Sequence, residues 1–299
     1  DELHPVEVDP LHKYQLHTEL LEATWSVGDL DAAHTQWASV ARASGELPPG
    51  ELGESAVADV FTFTKVILEE CERVGVTHPG TASIPIELEL SGGRSLRGVV
   101  TEVDPTRPGP IRIGARRLKP KHELGLWLDV LVLAAQDPSV AWQGIAIGRA
   151  NDRTQKGVKI PAAATLQPTI VGDDAAQRSA VAGAALGTLV DLYLRNLSEP
   201  LPLWPETAAK LCGRKKLPTG NWDFTLPGGA RIGDGYEAAT REIWGDLSEH
   251  DYESLPARSD DPGNPAEPSR ARRLAHVIWS AFDASVSGSL NSQTPQAAA

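Results

Sequence analysis

The sequence predicts an α/β fold flanked by helical segments, and three observations predict it. Residues 84–90 alternate apolar Ile84, Ile86, Leu88 and Leu90 with Pro85, Glu87 and Glu89, the period of a half-buried strand. Residues 118–135 are apolar on most sides after Glu123, as in a helix buried against a sheet. Strand-like and helix-like segments then interleave as far as Leu197. At 299 residues and 41% apolar content the chain can bury a sizeable core. No apolar run approaches the ~18–20 residues of a membrane span. The chain opens Asp1-Glu2-Leu3-His4 without a signal peptide and contains no methionine. It therefore reads as a piece of a longer, cytoplasmic protein. Cys71 and Cys212 form no CxxC, which excludes a disulfide scaffold and a zinc ribbon.

Residues 1–78 read as an acidic helical segment. Leu16, Leu20, Leu21 and Trp25 recur at helical spacing, and Gly28-Asp29 breaks the pattern. A second helix is expected over 31–42 and a third over 54–74, carrying Val57, Val60, Phe61, Val66, Ile67 and Leu68. Residues 79–205 form the α/β core. A strand ends at Ser91-Gly92-Gly93-Arg94, a hairpin turn, and 96–103 returns. Ile111-Arg112-Ile113 is a short third strand before the 118–135 helix. A strand over 140–149, a polar tip at 151–157, a return over 158–160 and a helix over 174–197 complete the core. Residues 206–284 are a C-terminal helical extension with a Pro/Asp-rich linker over 259–269 and a last helix over 270–283. Residues 285–299 have the composition of a disordered tail.

The net charge of −12 is unevenly spread. Residues 1–91 hold 17 Asp/Glu against 4 Lys/Arg, so the remainder is near neutral. Within it, Arg94, Arg97, Arg107, Arg112, Arg116, Arg117, Lys119 and Lys121 face only Glu102 and Asp104. This asymmetry points to a polyanion on one face and a different partner on the other, against an ordinary solvated charged face. The 151–157 tip, with Arg149, Arg153, Lys156 and Lys159, reads first as an ordinary solvated hairpin and second as a candidate wedge at a DNA fork. Trp142 is a candidate base-stacking platform or a buried strand aromatic.

There is no GxxxxGK[ST] and no GxGxxG after a strand, so neither ATP hydrolysis nor a dinucleotide cofactor is expected in this piece. His12 and His17, five residues apart, miss helical metal-ligand spacing and read as surface histidines.

A hairpin, a third strand and a buried helix follow the order of a PD-(D/E)xK nuclease core. That chemistry needs an acid at the end of one strand and a second acid two residues before a lysine on the next, together holding Mg²⁺. Against the RecB-type first strand, Gly-x-(Ile/Val)-Asp-Arg-(Ile/Val)-Asp, this chain reads Gly98-Val99-Val100-Thr101-Glu102-Val103-Asp104. The metal-binding acid falls on Thr101. The Asp-Tyr-Lys strand reads Gly114-Ala115-Arg116. No acid lies between Asp104 and Glu123. Thr101 and Gly114 are therefore lost metal positions, and the groove is expected to be cationic and catalytically empty.

At Ala43–Gly53, Leu96–Val100, Leu126–Ala135 and Glu199–Thr207 the chain resembles the C-terminal region of RecC, the gamma chain of RecBCD (exodeoxyribonuclease V), in an actinobacterial-like version. The resemblance covers about residues 10–207. It implies a nuclease-like fold without nuclease activity. It also implies RecB-like and RecD-like partner chains, and contact with DNA as a duplex end, fork or single strand during double-strand-break repair. Two other readings stay open: an active nuclease with a migrated ligand set, Asp104 plus Glu123, and a pure protein-docking module.

Overall fold

The computed structural model describes residues 9–287 except 46, 156–157, 215–216, 218–221, 223 and 226–230. Helix α1 (Pro10–Val27) begins where the Asp9 carboxylate accepts from Leu11 N at 2.8 Å. Helix α2 (Leu30–Ala43) is capped the same way by Asp29. With α3 (Glu51–Val74) these helices enclose Leu16, Leu20, Ala33, Trp37, Ala38, Val57 and Val60.

The central sheet is built from β1 (Ala82–Leu90), β2 (Arg94–Asp104) and β3 (Gly109–Arg117). Helix α4 (Pro120–Gln136) then crosses over to β4 (Ile145–Arg149). A small hairpin, β5 (Arg153–Gln155) and β6 (Val158–Ile160), precedes β7 (Ala163–Leu166) and β8 (Thr169–Ile170). The five-stranded order is β1-β2-β3-β4-β7. All neighbours are antiparallel except β3 and β4, which run parallel because a helix joins them. The β1–β2 turn lies at Gly92-Gly93, with φ of +77° and +70°, as the sequence requires.

Helix α5 (Ala175–Ser198) starts at Asp174, whose carboxylate accepts from Gln177 N at 2.8 Å. It leads to α6 (Pro205–Leu211), the short pair β9 (Phe224–Thr225) and β10 (Arg231–Ile232), α7 (Ala238–Trp244), α8 (Glu249–Glu253), α9 (Arg270–Ser285) and β11 (Val286–Ser287).

The sheet is buried on both faces. Ile111, Ile113 and Ala115 of β3, with Ile145 and Ile147 of β4, pack on Leu21 of α1 and on Phe63, Ile67 and Cys71 of α3. On the other face, Ile86, Leu88, Val100 and Val103 meet Trp127, Val130 and Leu131 of α4. The same core continues through Leu186, Ala208, Trp222, Tyr252, Trp279 and Phe282, so residues on both sides of 205 share it.

Four expectations need correction. The strand expected over 140–149 begins only at Ile145. Before it, Trp142 is half-buried, and its indole N–H donates to Asp137 O at 2.8 Å. The third strand is longer than expected, reaching Arg117 because β4 supplies a parallel partner there. The 259–269 stretch is not a free linker. Buried Asp261 accepts from Arg195 at 2.9 Å and Arg270 at 3.2 Å, and Pro256 bridges Ser269. The tail does not begin at Ser285. Trp127 Nε1 donates to Ser285 Oγ at 2.8 Å, and Val286 pairs with Ile170; residues 288–299 lie outside the described residues.

Candidate nucleic-acid interface

Alternation on β3 sends Ile111, Ile113 and Ala115 toward α3, and Arg112, Gly114 and Arg116 toward α4. Arg112 is consumed there. Its Nε donates to Glu102 Oε2 at 2.9 Å and its Nη2 to Asp129 Oδ2 of α4 at 2.5 Å. Glu102 reaches it from a bulge in β2: its φ is +59°, and the register against β1 shifts beside it. The bulge changes the strand's phase, so Val100 and Val103, three apart, both point into the core.

Beyond Val103↔Pro110 and Asp104↔Gly109 the β2–β3 ladder stops. The chain at Gly80 fills the gap, its N–H donating to Ile111 O at 2.9 Å. Only glycine fits there, since a Cβ would lie 1.8 Å from Glu102 O.

The other predicted cations divide in two. Arg94 pairs with Asp191 of α5 at 2.6 Å and Arg97 with Glu87 across the hairpin at 2.8 Å. Arg107, at the far end of β3, donates to Val74 O at 3.4 Å. Lys119 holds Glu206 at 3.2 Å. Arg116, Arg117 and Lys121 have no acidic partner among the described residues.

These three sit where β3 ends and α4 begins, and β4 ends beside them, Arg117 pairing in register with Arg149. The β5–β6 hairpin springs from the same edge. Arg153 lies on its first strand by backbone position, and Lys156 lies outside the described residues. The two basic segments, separate in sequence, therefore converge at the carboxyl ends of the parallel pair, where open α/β sheets bind ligands.

His122 registers the local field. Its Nδ1 accepts from Lys119 N at 3.0 Å, completing the start of α4. Burial, then Arg116, Lys121, Lys119 and Arg112, push its pKa down to about 4. The helix N-terminus adds its own positive end.

No group of three or more metal-ligating side chains occurs among the described residues. Thr101, exposed on β2, and Gly114, half-buried on β3, lie beyond the two paired positions, so the ladder does not join them. Asp104 and Glu123 are apart too. Asp104 faces Gly109 at the start of β3 and holds Thr106 N and Oγ1, each at 2.7 Å. Glu123 is buried near the other end, paired with Arg214 at 3.6 Å. The eight steps along β3, at about 3.3 Å each, separate its two ends by roughly 26 Å.

His17 is the clearest miss of the sequence reading. It is 2% exposed, not on the surface, and stands edge-on to Phe63 with ring centroids 4.5 Å apart. It follows Leu16 on the inner face of α1, so the helical period carried the signal and the metal-spacing test did not. Burial first, then Arg149 and Lys13, pull its pKa down to about 4. Arg149 itself lies over the Phe63 ring at 5.2 Å, with Asp152 at 3.4 Å.

A family model described as "RecC C-terminal domain" matches residues 1–215. The chain belongs to the RecC C-terminal domain family. It is 29% identical over 206 residues to a protein named RecBCD enzyme subunit RecC in Mycobacterium tuberculosis (strain ATCC 25618 / H37Rv), covering 67% of this chain and 16% of that protein. It is 29% identical over 215 residues to the protein of the same name in Mycolicibacterium smegmatis, covering 70% of this chain and 18% of that protein. The chain thus spans about one-sixth of the length of these relatives. Every strand of the central sheet, and the basic edge where β3 and β4 end, lies inside the RecC C-terminal domain match. No helix among the described residues is long and apolar enough to cross a membrane.

Proposed function

We propose that this chain is a non-catalytic DNA-handling and scaffolding part of a RecBCD-type assembly, working beside RecB-like and RecD-like chains on duplex ends, forks and single strands. The observation that carries the reading is the unneutralised edge formed by Arg116, Arg117 and Lys121 next to Arg149. Three side-chain cations at a helix start suit phosphate oxygens, which bind guanidinium and ammonium groups without sequence preference.

The order α3, three antiparallel strands, α4 and a parallel β4 supports descent from a PD-(D/E)xK-type core. Within that reading, two carboxylates persist near the expected metal region, Glu102 and Asp129, and Arg112 occupies both. A guanidinium already seated between them disfavours a divalent ion. This changes the sequence argument: the acids have not all been lost, and the two present are held by an internal cation. The separation of Asp104 from Glu123 counts against a migrated ligand set.

The test is binding to single-stranded and forked DNA across a salt series. The expected result is an affinity that falls steeply with salt, and a strong loss in Arg116→Glu/Arg117→Glu/Lys121→Glu with assembly onto a RecB-like chain preserved. Unchanged DNA binding with lost assembly would replace this reading with a docking module. Mg²⁺- or Mn²⁺-dependent cleavage by the purified chain would overturn the non-catalytic assignment.

A further inference from the structure

A cavity of about 330 Å³ opens beside the basic edge, lined by Lys13 and His17 of α1, Phe63 of α3 and Arg149 of β4, among others. That volume sits at the lower end of small-molecule pockets, which start at about 300 Å³. Two buried polar atoms of these side chains have no hydrogen-bond partner, His17 Nδ1 and Arg149 Nε. Buried polar groups are paired as a rule, so an orphaned acceptor and an orphaned donor on one cavity point to an absent ligand. The His17 ring is 2% exposed and bonds the Val60 carbonyl of α3, which leaves Nδ1 as a lone pair. Burial, Arg149 and Lys13 keep that ring neutral.

The charges around the cavity are loosely held. Arg149 reaches Asp152 only at 3.4 Å. Lys13 and Asp59 pair at 2.9 Å, but both are well exposed, and such pairs exchange readily for another anion. A fitting ligand brings negative charge to Arg149 and Lys13, an acceptor to Arg149 Nε and a hydrogen-bond donor to His17 Nδ1. A phosphodiester has only acceptors near neutral pH, as have sulfate and a carboxylate. A phosphomonoester has a second pKa of about 6, so it still carries a proton that it can share with Nδ1 while its other oxygens face the cations. The cavity also adjoins the open edge, since Arg149 pairs in register with Arg117. We infer that this cleft receives a phosphomonoester, the phosphorylated end of a DNA strand lying along the basic edge. The strand-end source rests on the DNA-handling reading; the phosphomonoester chemistry rests on the cavity alone.

The test has two arms on the purified chain. In the first, short single-stranded oligonucleotides with a 5′ phosphate, a 3′ phosphate or hydroxyls at both ends compete for binding near pH 7. A phosphate on one of the two ends is expected to tighten binding at least about fivefold. His17→Leu should erase that gain, and the surface variant Lys13→Gln should reduce it, both with hydroxyl-ended binding within about twofold of the parent. In the second, nitrogen spectra of the histidine-labelled chain are titrated with inorganic phosphate and with sulfate. Phosphate, and not sulfate, should move the resonance that His17→Leu removes. Equal responses to the two anions, no response to either, or an end-phosphate gain that survives both variants would overturn the inference. A phosphate response with oligonucleotides that bind regardless of their ends would overturn the strand-end source. A phosphate response with no oligonucleotide binding at all would sink the DNA-handling reading and leave the phosphomonoester cleft standing.

Discussion

The basic stretch from Arg94 to Lys121 divides into two electrostatic situations. In its first part Arg94, Arg97 and Arg112 each meet a carboxylate, and Arg107 meets a helix-end carbonyl. In its last part Lys119 holds Glu206, but Arg116, Arg117 and Lys121 meet no carboxylate among the described residues, and Arg149, paired with Asp152, comes in from a distant segment beside them. The difference follows from where the strand leads. Along β2 and the body of β3, neighbouring strands and α4 offer Glu87, Glu102 and Asp129. At the carboxyl end of β3 the chain leaves the sheet, and the acids nearby are already engaged, Glu206 by Lys119, Asp152 by Arg149 and Glu123 by Arg214. A count of charges along a sequence therefore overstates a binding surface, and pairing geometry decides which charges remain available.

The comparison can be broken most directly by charge reversal. Arg116→Glu/Arg117→Glu/Lys121→Glu is expected to lower DNA affinity at least about a hundredfold at low salt and to flatten the salt dependence by roughly 2–3 in slope. Arg94→Glu/Arg97→Glu, read by the same titration, should change affinity only about twofold. Equal losses from the two variants would erase the distinction.

Next in size is Gly80→Ala, whose Cβ would collide with the Glu102 carbonyl. Chemical denaturation is expected to show a loss of about 3 kcal/mol. A neutral result would mean that the gap between β2 and β3 is not set by this contact. Arg112→Met keeps the side-chain length but leaves Glu102 and Asp129 facing each other without a cation. In this half-buried setting a loss of about 2 kcal/mol is expected, with DNA affinity nearly unchanged. A large drop in DNA affinity at intact stability would move Arg112 into the open group.

The smallest effect concerns His122. Its folded pKa lies below the ordinary 6.5, so the unfolded chain takes up a proton that the folded chain refuses. Its contribution to stability should decline as pH falls from about 6.5 toward 4. His122→Asn keeps an acceptor for Lys119 N and should remove that part of the pH dependence. An unaltered slope would show that His122 is not its source.

Much of the α/β order was legible because period and turn chemistry agree locally. The alternation at Ile84–Leu90, the Gly92-Gly93 turn and the all-round apolar 118–135 helix each carry their own signal. What was not legible depends on contacts between distant residues. The Glu102 bulge is invisible in Val99-Val100-Thr101-Glu102-Val103, since regular alternation would place Val100 and Glu102 on one face. The 259–269 stretch has linker composition, yet Asp261 is buried by Arg195 and Arg270 from two helices. The candidate site was half legible: the cations were identified, but their division into paired and open groups required Asp191, Glu87 and Asp129.

The family match ends at residue 215, but the packing does not. Trp222, Tyr252, Trp279 and Phe282 fill the same interior as Trp127, and the indole of Trp127 is tied to Ser285. A recombinant fragment trimmed at the family limit would strip four large rings from the centre of the molecule and expose greasy surface to water. It should clump on expression, whereas one carried through residue 287 keeps its own plug.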